Sequence, residues 1–529
     1  MLADPAWARV ILVALIILTG LTVAYLPLTW AVALILGTGA LILIFVRPVI
    51  GLYLLIFAIP LGSLQEISVG VMRVGGAEAL AAVTILAWGA NMIAKREIRT
   101  LHPPLLVPMI VFLAVISFSL LAALSLQWGL KGLLVWLELL AIYLFVVNVV
   151  DERDVKIIVV LILVAGSMEA LLGFYQFFGG YGPQGFLLFD RFIRAYGTFE
   201  QPNPYGGYLA LILPLALSLF LTRWHRRDLR SLFTWGLAGL SLGLMGAGLV
   251  MSWSRGAMLG FLAAVALIAV AGFWYRVFSG LTCGALTGIA CSGLAALWFG
   301  ASSGGWVLAL VLGGLCGLGA GWAVSIGLQH RWGWLLAALV VLFGGMFILV
   351  GGERFLPAAL SQRFSDFLPY LSVTDVRAEH LTDENYAVVE RWAHWQAALD
   401  MLSDHPLLGV GIGNYVPVYP AYSLPGWEDP MGHAHNHYLN VAAETGLLGL
   451  VAYLWFLLAS WWNGWRSVSR TREEWQGIAL GILGVLGALA VHSLFDNLYV
   501  HGMNMHLAIL LGVIYVLSER GEVALVKAS

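Results

Sequence analysis

Residues 154–178 read DVKIIVVLILVAGSMEALLGFYQFF, and Glu169 is the only charge after the opening Asp154 and Lys156. A helix rises about 1.5 Å per residue, so about 20 apolar residues cross the roughly 30 Å hydrocarbon core of a bilayer. Working outward from this run, sixteen such segments can be marked on the 529-residue chain, roughly 8–26, 29–46, 49–62, 75–93, 103–125, 132–150, 154–178, 203–222, 231–250, 255–274, 277–299, 304–327, 332–350, 438–463, 475–494 and 503–518. The third and the last are short. The expected fold is all-α, a polytopic membrane helix bundle of about 14–16 hydrophobic segments with one large external loop at 351–437.

Composition agrees with this reading. Hydrophobic residues make up 61% of the chain and charged residues 11%, against about 25% charged in a soluble domain. So few charges cannot cover so much apolar surface in water, and the bilayer is the solvent. Lys and Arg number 27 against 29 Asp and Glu, which is no basic footprint for nucleic acid. Cys283, Cys291 and Cys316 sit in apolar runs without ligand or disulfide spacing, which speaks against zinc sites and disulfide frameworks.

Loop charge sets the expected orientation, because Lys and Arg collect in short cytoplasmic loops. With the amino terminus inside and sixteen alternating spans, eighteen Lys and Arg fall inside and nine outside, four of the nine in the long loop. Both termini are therefore expected in the cytoplasm. The loops 179–202, 251–255, 351–437 and 495–502 are expected to face outward. Chemistry there has no ATP, so substrates must arrive already activated, carried by lipid.

Several outward residues carry chemistry. His433-Ala434-His435-Asn436-His437 lies where the long loop re-enters the membrane. A neutral imidazole is the usual base near pH 7, although His and Tyr also anchor helices at interfaces. Spacing alone leaves His433, His435 and His437 equally eligible. Alternating His can also hold a metal, but no carboxylate or Cys follows at ligand spacing, so none is expected. Gly409, Gly411 and Gly413 alternate in a turn that permits either close approach to a ligand or a tight bend. Residues 386–402 read as an amphipathic helix on the membrane surface, with Trp392, Trp395, Leu399 and Leu402 on its apolar stripe. Arg391 adjoins that stripe. Arg255, flanked by small residues in SWSRGA, offers a fork of donors that suits a diphosphate. Arg191 and Arg194 add two more cations. Gln201 and Asn203 cap the next helix or bind sugar hydroxyls. Asp496, Asn497 and His501, in the last outer loop, read first as structural hydrogen-bonding groups.

At these residues the sequence resembles the O-antigen ligase and polymerase family of membrane glycosyltransferases. The likeness is carried by Gly197–Leu209 (GTFEQPNPYGGYL), Ser252–Ala257 (SWSRGA), Arg391–Tyr415 (RWAHWQAALDMLSDHPLLGVGIGNY) and His435–Gly449 (HNHYLNVAAETGLLG), within roughly residues 185–500. The last two motifs are the specific ones. The chain has about thirteen segments before the long loop, more than the ligases usually have.

The resemblance implies a GT-C-type helix bundle in the bacterial cytoplasmic (inner) membrane. It implies transfer of a glycan from an undecaprenyl-diphosphate-type carrier to an acceptor hydroxyl, with inversion and without metal or cofactor. It makes His435 the base and Arg255 and Arg391 the diphosphate ligands. Arg191, Arg194, His433, Asn436, His437, Gln201 and Asn203 are the further candidate substrate-binding residues. Expected partners are the lipid-linked donor, a glycan, lipid or protein acceptor, and membrane lipids. The expected organisation is 1–180, N-terminal helices of unassigned role; 181–350, the ligase-like helices; 351–437, the loop; and 438–529, the closing helices and tail. A polymerase of the same family, or a small-anion transporter of bicarbonate type, is the alternative. A transporter needs charged groups in mid-span, and Glu169 is the main one in this chain.

Overall fold

The computed structural model describes residues 27–62, 66–69, 72–96, 103–188, 191–222, 229–275 and 386–528, with residues 20 and 277. The expected segments 8–26, 277–299, 304–327 and 332–350, and the first part of the long loop, lie outside the described residues. The other twelve segments all fold as helices, nine of the described helices being long and apolar enough to cross a membrane.

The first helices are α1 (Leu28–Val46) and α2 (Val49–Leu61). A hairpin of β1 (Glu66–Val69) and β2 (Met72–Gly75) then leads into α3 (Gly76–Lys95). Next come α4 (Leu106–Ser119), α5 (Leu126–Val149) and α6 (Glu152–Gly179). The α6 helix starts on a capping box in which the Asp151 side chain accepts from the amides of Arg153 and Asp154. It stops at Gly180, whose φ of +68° is a left-handed terminator.

A short pairing of β3 (Leu187–Leu188) with β4 (Phe192–Ile193) precedes α7 (Pro202–Ala210), α8 (Leu213–Leu221), α9 (Leu229–Ser252) and α10 (Arg255–Trp274). The expected span 203–222 is thus broken at Leu211–Ile212, where Pro214 begins the second piece. After the undescribed stretch come α11 (Tyr386–Asp404), α12 (Tyr415–Val418), α13 (His437–Arg470), α14 (Gln476–His492) and α15 (Met503–Ala528).

Small residues decide how these helices pack. The α14 helix repeats glycine at 477, 481, 484 and 487, so neighbours approach its backbone closely. The Ser218 hydroxyl of α8 donates to the Gly477 carbonyl (2.7 Å), and Gly484 accommodates Ile268 of α10. Among the described residues the α10–α14 pair is the most extensive, followed by α5 along α15. Asn504 of α15 donates to the Val135 carbonyl (2.9 Å) and to Glu138 (3.2 Å) of α5, so early and late helices share one core.

The α13 helix is interrupted at Gly446, which has φ +65° and ψ −170°. The glycine-rich loop fills the break: the Leu447 amide donates to the Pro406 carbonyl (2.8 Å) and the Val410 amide to the Ala443 carbonyl (2.9 Å). A Cβ on Gly446 would strike the Leu407 carbonyl, and one on Gly409 the backbone of Glu444. The alternating glycines therefore serve a bend against protein. Glu444 accepts from the Tyr415 amide (3.1 Å), and Asn414 accepts from the Ser125 amide (2.7 Å), which fix the loop's far end.

The amphipathic helix of the long loop is α11. Its protein-facing side is Val389, Ala393, Ala397 and Met401; the first two pack with Leu424 and Trp427 and the last two with Val410, Tyr415 and Ala443, and the Trp392–Trp395–Leu399 stripe is half-buried to exposed beside them. Ends that the sequence assigns to one side meet at one end of the bundle. Arg47 pairs with Asp154 (3.6 Å), Arg472 with Glu152 (3.5 Å), and the Lys156 ammonium lies over the Trp475 ring. The loops assigned to the other side meet at the opposite end, around a cavity.

Candidate functional site

The cavity has a volume of about 360 Å³ and is lined by five separated stretches: 194–204, 253–259, 387–391, 431–435 and 492–496. Their supports begin in α6. Gln176 donates to the Gly197 carbonyl (2.7 Å) and accepts from the Gly197 and Tyr196 amides. Glu169 accepts from the amide and the hydroxyl of Thr198 (both 3.1 Å), and that hydroxyl also reaches the Pro60 carbonyl. The mid-span carboxylate that a transporter would need is thus spent on bracing the 196–198 turn. On that turn Arg194 is fixed by Nε to the Ser252 carbonyl (2.9 Å) and by Nη2 to Asn203 Oδ1 (3.2 Å).

Three guanidinium groups, Arg194, Arg255 and Arg391, line the cavity together. Burial, followed by the charges of Arg391 and Arg255, pushes Arg194 down to about 10. It remains charged at neutral pH, and the mutual repulsion leaves the cavity poised for an anion. Arg391 has a buried Nε with no hydrogen-bond partner.

The second half of the site is the histidine cluster. His433 Nδ1 accepts the amide N–H of His435 (3.0 Å). The proton of neutral His433 is therefore on Nε2, which stands 3.4 Å from Asp496 Oδ1. Burial lowers the His433 pKa to about 4, against a smaller opposing pull from Asp496, so this imidazole is a neutral donor. His435 Nδ1 lies 3.8 Å from the same carboxylate oxygen, and neither of its ring nitrogens has a hydrogen-bond partner. The histidines around Asp496 hold its carboxyl well below the usual carboxylate range despite burial. Glu390 also lines the cavity, and burial raises it above its ordinary value.

His433, His435 and Asp496 bring ligand-type atoms within 4.8 Å of one another, so the carboxylate not found at ligand spacing in the sequence arrives through the fold. The cluster still suits a metal poorly. A metal needs a lone pair on His433 Nε2, and the His435 amide forces the proton onto that atom.

Among the residues singled out from sequence, His435, His433, Arg255, Arg391, Arg194, Gln201 and Asn203 line the cavity. Arg191 does not; its guanidinium is exposed, 5.0 Å from the Phe192 ring centroid. Asn436 is the N-cap of α13, accepting from the Leu439 amide (3.1 Å). His437 stacks on Tyr499 at 4.5 Å and lies against Trp136 and Tyr453, behind the cavity wall. Asn497 accepts from the Tyr499 amide (2.9 Å) and His501 rests on Phe199, whereas Asp496, read first as structural, is in the cavity. His492 was not singled out at all, because a lone His at the end of GALAVHSLF carries no spacing signal.

Three of the cavity-lining residues, Trp253, Met431 and His435, adopt left-handed backbone (φ +57°, +49° and +52°). Such conformations cost about 1–3 kcal/mol each in non-glycine residues and collect at functional sites.

The fold and the cavity define a multi-pass membrane protein with a cationic, histidine-bearing pocket at one end of its helices. Residues 292–454 match the family model described as O-antigen ligase, which supports the O-antigen ligase family for this chain and a membrane glycosyltransferase of ligase or polymerase type. No curated protein matches the chain. The matched stretch holds Arg391, His433 and His435, while Arg194, Arg255, His492 and Asp496 reach the cavity from outside it.

Proposed function

We propose that the chain transfers a glycan from a polyprenyl-diphosphate carrier to an acceptor hydroxyl at the outer face of the bacterial cytoplasmic membrane, with both termini in the cytoplasm. The observation that carries this reading is one cavity shared by three guanidinium groups and an Asp-backed imidazole. Arg194, Arg255 and Arg391 hold and neutralise the diphosphate, whose negative charge grows as the sugar C1–O bond breaks. The Asp496 carboxylate, 3.8 Å from His435 Nδ1, favours the proton on that nitrogen, which leaves Nε2 to take the proton of the attacking hydroxyl, and it stabilises the imidazolium that forms. The hydroxyl oxygen bonds to C1 on the face opposite the departing diphosphate, so the configuration inverts. Both ring nitrogens of His435 are covered by protein, so the bound acceptor must part the lining to reach Nε2. Gln201 and Asn203, at the mouth of α7, are placed to meet sugar hydroxyls.

The test is transfer by the purified protein from a lipid-linked oligosaccharide to candidate acceptors. His435→Ala should abolish product while the protein still inserts and elutes as a folded species, and Arg255→Gln should raise the donor KM. Full activity of H435A would overturn the assignment of the base. Anion uptake by proteoliposomes lacking any lipid-linked glycan would overturn the class.

A further inference from the structure

We infer that His492 is a further ligand of the donor diphosphate, on the α14 side of the cavity. The inference rests on the diphosphate reading above and adds a residue to it. His492 is 1% exposed, yet its ring lines the cavity.

Three glycines make the slot that holds this ring. A Cβ at Gly207 of α7 would stand 3.0 Å from the ring Cε1, one at Gly256 of α10 3.2 Å from Cδ2, and one at Gly260 3.2 Å from the His492 Cβ. The Nδ1 edge faces Gly207, away from the cavity, and that nitrogen is buried with no hydrogen-bond partner. The Nε2 edge faces Gly256, itself a cavity residue.

This geometry fixes the tautomer. Buried N–H groups left without an acceptor are rare. The proton of neutral His492 is therefore on Nε2, on the ring edge that faces Gly256 in the first turn of α10. The same turn of chain presents the rest of the catalytic end, because the amides of Phe495 and Asp496 both donate to the His492 carbonyl (2.8 and 3.1 Å). An N–H at the wall of the cavity that the three guanidinium groups line suits an oxygen of a phosphate or diphosphate ester.

Two substitutions separate donation from packing. Gln places its amide nitrogen near the position of Nε2, whereas Asn reaches only as far as Nδ1. The measurement is binding of undecaprenyl diphosphate to purified full-length protein in detergent, for the wild type, His492→Gln, His492→Asn and Arg255→Gln. H492N should bind about 10–100-fold more weakly and H492Q within about threefold of wild type. In turnover, H492N should raise the donor KM and leave the acceptor KM unchanged. If both His492 variants match wild type while R255Q is weakened, His492 is no ligand and the diphosphate reading stands. Equal weakening of H492N and H492Q marks a purely structural ring and also overturns the inference. If the wild type does not bind the lipid diphosphate, the diphosphate reading falls and the inference with it.

Discussion

Replacing Asp496 by Asn tests the proposed chemistry at its most sensitive point. The change conserves shape, so it removes a charge and one acceptor without opening a cavity. His433 must keep an acceptor for its Nε2–H, because its Nδ1 is occupied by the His435 amide. Both imidazoles face one oxygen, Oδ1, so the Asn oxygen takes that place and its NH2 group takes the place of Oδ2. The charge is lost. At 3.8 Å, a carboxylate stabilises an imidazolium by about 4 kcal/mol at an effective dielectric constant of ~20. Allowing for the dipole and water that replace it, about 2–4 kcal/mol of transition-state stabilisation disappears, or roughly 30–1,000-fold in kcat.

The assay is the initial rate of glycan transfer in proteoliposomes at saturating lipid-linked donor, with undecaprenyl diphosphate binding measured in parallel. Binding should stay within about threefold of wild type, since Arg194, Arg255 and Arg391 are untouched. A D496N enzyme turning over within threefold of wild type would refute the reasoning. So would a loss expressed wholly as weaker donor binding.

The tautomer of His433 implies that prolonged chelation with EDTA leaves transfer unchanged, and a loss restored by one added divalent metal would show a metal ligand set after all. His433 is neutral in the fold with a pKa of about 4 against an ordinary 6.5. The unfolded chain therefore takes up the proton first, and stability is full above about 6.5 and falls between about 6.5 and about 4, by about 3 kcal/mol at ~1.4 kcal/mol per tenfold. Thermal unfolding across that range should show the slope, to which His394, also lowered to about 4 by burial, adds its own share; His433→Gln should lessen the slope by the His433 share, and an unchanged slope would sink the claim. Gly446→Ala forces a side chain into left-handed backbone against the Leu407 carbonyl, and should lower the thermal midpoint by about 2–3 °C. A midpoint within about 1 °C of wild type would mean that the break in α13 relaxes freely.

Much of the bundle was legible because the bilayer imposes a strong signal: about 20 apolar residues with polar ends. The twelve described segments follow it, and so does α11. The two breaks left no such mark. Leu211–Ile212 and Gly446 lie inside apolar runs, and each is set by what packs into it, Pro214 in the next turn in one case and the 406–410 loop in the other. The glycines of that loop allowed a ligand or a bend, and only the backbone of Ala443 and Glu444 decides for the bend.

The site was legible in part for a different reason. Arg194, Arg255, Arg391 and His435 stand out because charge and imidazole are rare in an apolar chain. Arg191 stands out equally and points elsewhere, since two residues three positions apart beside a strand need not share a face. Asp496 and His492 were lost because each is ordinary in its own stretch. Their meaning comes from partners 61 and more positions away, His435 for the carboxylate and Gly207 and Gly256 for the ring.

The distribution of the site over the chain bears on how specificity can vary. The stretch 292–454 that matches the O-antigen ligase model brings the proposed base and one guanidinium group. Arg255 and the glycine slot come from α7, α10 and α14, helices that hold one another through close small-residue contacts, while Arg194 sits between β4 and α7 and Asp496 just past the end of α14. Groups that grip a diphosphate must keep their spacing whatever sugar is carried, and a tightly packed set of helices supplies that. A change of carrier chemistry would therefore require repacking α10 against α14. Glu390, Met431 and Gln201 line the cavity from the loop helix, the loop end and the start of α7, where exposed backbone tolerates change at little cost to the bundle.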